Sequence, residues 1–131
     1  MTAYVALLRA VNLGGLNRVS MERLRSLFEE LGFPGARSLL QSGNLVFESG
    51  GRKPAELERL LEEATRERLG VSPDYFVRSS TEWSKIVAAN PFRKEAKADP
   101  ALLVVVCLKK APGAGDVKSL QATIRGPEIV R

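Results

Sequence analysis

Apolar residues fall in short bursts separated by polar turns, and the period within each burst predicts an element. The run Ala3-Tyr4-Val5-Ala6-Leu7-Leu8, closed by Arg9, reads as a strand. A polar turn, Asn12-Leu13-Gly14-Gly15-Leu16-Asn17, follows it. Ser20 then sits where a helix N-cap belongs, and Met21, Leu24, Leu27, Phe28 and Leu31 recur at helical spacing as one apolar stripe. Gly32 is placed for a left-handed C-terminal cap, and Pro34 prevents the helix from continuing. Arg37 to Gln41 and Leu45 to Glu48 read as two strands of a hairpin turning around Ser42-Gly43. Pro54 opens a second helix with Leu57, Leu60, Leu61 and Ala64 on one face, Gly70 closes it, and Asp74 to Arg78 supplies a fourth strand.

The resulting order is strand, helix, strand, strand, helix, strand. It predicts an α+β fold with a ferredoxin-like βαββαβ unit over residues 1–79, in which right-handed crossovers place both helices on one face of an antiparallel sheet. The other face then needs a cover. Ser79 and Glu82 form a capping box, and Trp83, Ile86 and Val87 give the next helix an apolar side before Asn90-Pro91 stops it, so this helix is the expected cover. Beyond a charged connection from Arg93 to Asp99, Leu102 to Leu108 reads as a buried strand and Asp116 to Ala122 as a weak helix. A short strand at Glu128 to Val130 has no local partner, so residues 80–131 read as an incomplete α/β extension.

Composition narrows the chemistry. At 131 residues and 44% apolar content the chain can build a genuine core, and it contains no run near the roughly 20 apolar residues that a spanning helix requires. With no basic leader before the first strand, a cytoplasmic protein is expected. One cysteine forbids an intrachain disulfide, and the absence of histidine argues against zinc sites and histidine-based triads. No metal or cofactor is expected. The net charge of +5 is uneven: residues 1–79 hold eleven basic and ten acidic side chains, whereas 80–131 hold nine and five. Such a field suits phosphates or nucleic acid, and solubility accounts for it equally well.

The residues quoted above also carry a family resemblance. Val5-Ala6-Leu7-Leu8-Arg9-Ala10-Val11-Asn12-Leu13-Gly14-Gly15, then Met21-Glu22-Arg23-Leu24, then Gln41-Ser42-Gly43-Asn44-Leu45-Val46-Phe47, with Asn90-Pro91-Phe92 later, resemble the bacterial domain of unknown function 1697 family along essentially the whole chain. Ala10 stands where that family usually has glycine, and Ser20 where it often has proline. The resemblance implies an α+β fold of ferredoxin-like organisation and no established activity. It also implies that relatives continue through a further hairpin, a lysine-bearing segment and a Thr-Arg-Asn type motif. Self-association through the incomplete C-terminal half is the corresponding expectation.

Two polar turns are the candidate site. Asn12, Gly14, Gly15 and Asn17 could present backbone amides to an anion ahead of the first helix, with Arg9 and Arg18 adding charge. Turn geometry alone also explains these glycines and asparagines, and neither a Walker lysine nor a GxGxxG spacing is present. Gln41, Ser42, Gly43 and Asn44 are equally explained as a hairpin turn, although a turn has no need of Gln41. Ser42 has no histidine base, Cys107 sits in an apolar run that suits burial better than nucleophilic chemistry, and the helical glutamates read as solvated faces with local ion pairs. The reading is a binding module for a small anionic or nucleotide-like ligand. The alternatives are single-stranded nucleic-acid binding, for which Tyr4 and Tyr75 are the platform candidates, and an enzyme that stabilises an oxyanion with amide donors.

Overall fold

The computed structural model describes residues 1–9, 19–39 and 43–131. These divide into two units, Met1–Ala88 and Ala89–Arg131. The first holds strand β1 (Thr2–Arg9), helix α1 (Met21–Glu30), strands β2 (Arg37–Leu39) and β3 (Asn44–Ser49), helix α2 (Pro54–Leu69), strand β4 (Asp74–Ser79) and helix α3 (Ser80–Ala88). The fold is α+β. Its sheet has the order β2-β3-β1-β4 with every neighbouring pair antiparallel. That order separates β1 from β2 by β3, as the split βαβ arrangement requires.

The helix ends follow their sequence signals. The Ser20 side chain accepts the Arg23 backbone N–H at 3.1 Å, opening α1. At its other end the Gly32 N–H reaches the Glu29 carbonyl and the Phe33 N–H reaches the Phe28 carbonyl, with Gly32 at φ 90°: a Schellman cap. Phe33 also meets Phe28 edge to face at 6.3 Å, the apolar contact that accompanies such a cap. Pro54 starts α2 without sacrificing a helical hydrogen bond, and Gly70 ends it in the left-handed region. The capping box forms as the sequence predicts: the Ser79 N–H donates to Glu82 Oε1 at 2.9 Å, and the Glu82 N–H donates to Ser79 Oγ at 3.1 Å.

The core lies between α1 and α2 and one face of the sheet. Tyr4, Ala6 and Leu8 of β1, Leu45 and Phe47 of β3, and Tyr75 and Val77 of β4 point to this face and cluster with Met21, Leu24, Phe28, Leu57 and Leu61. Phe28 is the hub, with its ring 5.2 Å from Phe47 and 6.4 Å from Tyr75. The tyrosine hydroxyls are satisfied: Tyr4 donates to the Arg52 carbonyl at 2.6 Å, and Tyr75 lies 2.9 Å from Thr65 Oγ1, which donates to the Leu61 carbonyl. Burial pushes the Tyr75 phenol up to about 12; the Thr65 hydrogen bond opposes the rise and the Glu62 charge adds to it.

Three expectations need correction here. Trp83 and Ile86 are only half-buried and Val87 is 61% exposed, so α3 does not anchor a core as its spacing suggested, although it contacts β1 and β4. Glu58 and Glu62 are not simply solvated; each accepts a backbone N–H of β4, Glu62 from Tyr75 at 3.0 Å and Glu58 from Val77 at 2.8 Å. Glu58 also receives Arg78 at 3.4 Å.

The third correction concerns the second unit. Arg93–Ala98 is a short helix, α4, where a charged connection was expected, followed by a 3-10 turn at Pro100–Leu102. It escaped notice because it has no apolar stripe. The expected buried strand at Leu102 to Leu108 is absent: Leu102, Val104 and Val106 are exposed at 80%, 74% and 70%. An apolar run states a need for burial and cannot supply the neighbouring strand, and no described residue of this unit lies in a strand. Cys107 within it is half-buried. Helix α5 (Ala114–Thr123) matches the weak helix expected there, and the Gln121 side chain donates to the Val130 carbonyl at 2.7 Å in place of the strand expected at Glu128 to Val130.

Two outcomes follow from the backbone and the core. Gly43 adopts φ 85°, so Gly43→Ala is expected to lower the unfolding free energy by about 1–2 kcal/mol, measured by urea denaturation. For Tyr75, a folded-state pKa above the ordinary 10 means that the unfolded chain ionises first as pH rises. The stabilisation from the neutral phenol is therefore complete below pH 10 and is lost as pH climbs through about 12, by roughly 3 kcal/mol at most. Denaturation at pH 10 to 12 is expected to show a flatter loss of stability in Tyr75→Phe than in the wild type.

Candidate functional site

Strand register decides where the predicted residues sit. Leu7 pairs with Asn44, and one position further along the Leu8 N–H donates to the Gly43 carbonyl at 3.0 Å. The last residue of β1 and the first of β3 therefore lie at the same end of the sheet. Segment 10–18 departs from Arg9 and segment 40–42 arrives at Gly43, so the two polar turns connect to neighbouring strand positions. Asn12, Gly14, Gly15, Asn17 and Arg18, together with Gln41 and Ser42, lie outside the described residues.

Directly opposed residues of an antiparallel pair share a face, which sorts the remaining candidates. Leu39, Asn44, Leu7 and Phe76 form one row across β2, β3, β1 and β4, on the face turned away from α1 and α2. Arg9 and its partner Asp74 lie on that same face, two residues beyond Leu7 and two before Phe76. Arg9 and Asn44 are thus brought to one face and one end. Gly43 is turned the other way, is buried, and contributes its carbonyl to the ladder. Its positive φ explains why glycine occupies the position.

Arg9 is not an isolated cation. Its Nε donates to Asp74 Oδ2 at 3.1 Å, Nη2 contacts the same oxygen, and the guanidinium lies 5.4 Å from the Phe76 ring centroid. The pair is open to solvent, with 63% of the Arg9 side chain and 46% of the Asp74 side chain exposed. Asp74 and Phe76 escaped the sequence reading because only the β1–β4 register makes them neighbours of Arg9. Glu58 and Glu62 escaped it as well, although each directly follows a leucine of the buried stripe, a position that borders the packed face of α2.

The arrangement offers a guanidinium, an amide side chain and an adjacent carboxylate beside apolar sheet surface, with Leu39 64% exposed and Val46 48% exposed. Such groups bind and orient. Among the described residues no cluster of three or more Cys, Asp or Glu could hold a metal ion. Tyr4 and Tyr75, the candidate stacking platform, are buried in the core against the helices, at 2% and 0% exposure.

A structure of the conserved bacterial protein SP0830 from Streptococcus pneumoniae is similar to this chain, with a TM-score of 0.62 and 28% sequence identity. The match covers 70% of this chain and 50% of that one, so the chain spans about half the length of the protein it resembles. No curated protein matches. No helix among the described residues is long and apolar enough to cross a membrane. The match that settles kinship is the family model described as Protein of unknown function (DUF1697), which spans residues 1–131, and the chain belongs to that family.

Proposed function

We propose that the sheet end carrying Arg9 and Asn44 is a recognition site for a small anionic or nucleotide-like ligand. The observation that supports it most directly is the Leu8–Gly43 hydrogen bond, which makes the strand position where the first polar turn begins a neighbour of the one where the second ends. Amides of segments 10–18 and 40–42 would complete the site, with Arg9 supplying the charge and the Asn44 side chain a donor and an acceptor. Asp74 tunes the affinity. It already engages Nε and Nη2 of Arg9, so an incoming phosphate or carboxylate either shares the guanidinium or displaces Asp74 from it. A neutralised cation of this kind favours selective, modest binding over strong nonspecific attraction.

Nucleic-acid binding is less well supported. Single strands are held by stacking bases on exposed aromatics, and both tyrosines that could have done so are in the core. The outward sheet face carries Val5, Leu7, Val46 and Leu39 instead. Oxyanion catalysis would need a base or nucleophile besides amide donors; among the described residues the carboxylate on the face of Arg9 and Asn44 is Asp74, which Arg9 already engages.

Thermal unfolding of the full chain with inorganic phosphate, nucleoside monophosphates and a short single-stranded oligonucleotide, at low and high salt, tests the reading. A saturable rise in Tm is expected from a small phosphate compound, with little salt dependence. Arg9→Ala is expected to weaken that binding about tenfold or more, while changing stability by less than about 1 kcal/mol because the Asp74 pair is exposed. Absence of any shift from small anions, or a shift that survives Arg9→Ala unchanged, would overturn the proposal. A shift seen only with the oligonucleotide and lost at high salt would favour the nucleic-acid reading instead.

A further inference from the structure

We infer that Glu58 and Glu62 guard the outer edge of β4, and that the strand they keep out is the Leu103–Leu108 segment of another copy of this chain. β4 ends the sheet, with β1 on its inner side. Alternate amides of a strand point to opposite sides, so an edge strand presents a row of donors and acceptors to any chain that can extend alongside it. On β4 the outward amides of Tyr75 and Val77 are already engaged by Glu62 and Glu58. The match is metric. Residues four apart on a helix are separated by about 6 Å along its axis, close to the roughly 6.8 Å between alternate residues of an antiparallel strand. Two glutamates one turn apart on α2 therefore reach two successive outward amides of β4.

These carboxylates are held in place as well as placed. The Glu58 side chain is only 13% exposed and receives Arg78 at 3.4 Å, so an incoming strand would have to displace a paired, largely buried charge. At the other edge the described residues of β2 pair over three positions, a short template for strand addition. This difference explains why a guard is built at β4.

The same chain carries a fitting donor. Among the described residues, Val104–Cys107 form no backbone–backbone hydrogen bond, and their valines are more than half exposed. The segment is apolar on both faces, while β4 has Tyr75 and Val77 on one side and Phe76, between Asp74 and Arg78, on the other. A donor on one copy and an acceptor edge on the next make a head-to-tail contact, which builds closed rings or open chains of copies. An unguarded β4 would therefore draw copies together.

Sedimentation velocity over a range of concentrations, with amide hydrogen exchange, tests this on the full chain. Wild type and Glu58→Gln/Glu62→Gln, which retains a side-chain carbonyl for each amide, are expected to sediment as one species. Glu58→Ala/Glu62→Ala is expected to associate as concentration rises. In dilute solution its Tyr75 and Val77 amides should exchange about tenfold faster than in the wild type. Adding Val105→Pro, which disables the donor segment, should return it to one species. A double alanine variant that remains a single species at every concentration overturns the guard. Association that survives Val105→Pro overturns the assignment of the donor, and association of the glutamine variant overturns the role of the acceptors. Should the double alanine variant lose the wild-type circular dichroism, Glu62→Ala alone, which keeps the Glu58–Arg78 contact, is read in the same way.

Discussion

The position of β1 in the middle of the sheet is the constraint on which the first unit depends. It is the strand hydrogen-bonded on both sides along most of its length, to β3 through Thr2–Leu7 and to β4 through Tyr4–Arg9. Its alternation sends Tyr4, Ala6 and Leu8 to the helices and Val5, Leu7 and Arg9 to the opposite face. A slip of one residue would exchange those sets, putting a guanidinium in the core and a buried tyrosine outside. The stack of Tyr4 on Phe47, with centroids 5.4 Å apart, and the Phe28 cluster fix the register by leaving only one way to bury the rings.

With the register fixed, the two faces and two edges acquire different jobs. One face is closed by α1 and α2 and holds the fully buried aromatics. The other carries the Arg9–Asp74 pair over Phe76 at the end from which both polar turns leave. A site on that face draws on residues distant in sequence because the sheet order brings β3 and β4 to the two sides of β1. At the β4 edge, α2 serves two purposes: Leu57 and Leu61 fill the core while the glutamates beside them occupy the strand's outward amides.

The second unit follows a different economy. Its helices have no fully buried residue, and its contacts include the Asn90 side chain accepting the Phe92 N–H at 2.9 Å and the Arg131 guanidinium 5.2 Å from the Phe92 ring centroid. The longest apolar run of the unit lies exposed, as a sequence prepared for a sheet without a neighbouring strand. Its positive charge excess accordingly belongs to a surface, and the Arg9 site lies in the nearly balanced first unit.

Local signals alone determined much of the first unit. The N-caps at Ser20 and Ser79, the glycine ends at Gly32 and Gly70 and the apolar stripes of α1 and α2 depend on interactions within a few residues, so they are legible in one dimension, and short apolar bursts marked the four segments that pair as strands. Tertiary structure alone decided the pairings. That Asp74 neutralises Arg9, that Asn44 shares its face, that Tyr4 and Tyr75 are core residues, and that Glu58 and Glu62 close a sheet edge all follow from register and sheet order. Leu102 to Leu108 marks the boundary between the two kinds of information. Composition expresses how strongly a segment would gain from burial, whereas a strand exists only where another backbone supplies the other half of its hydrogen bonds.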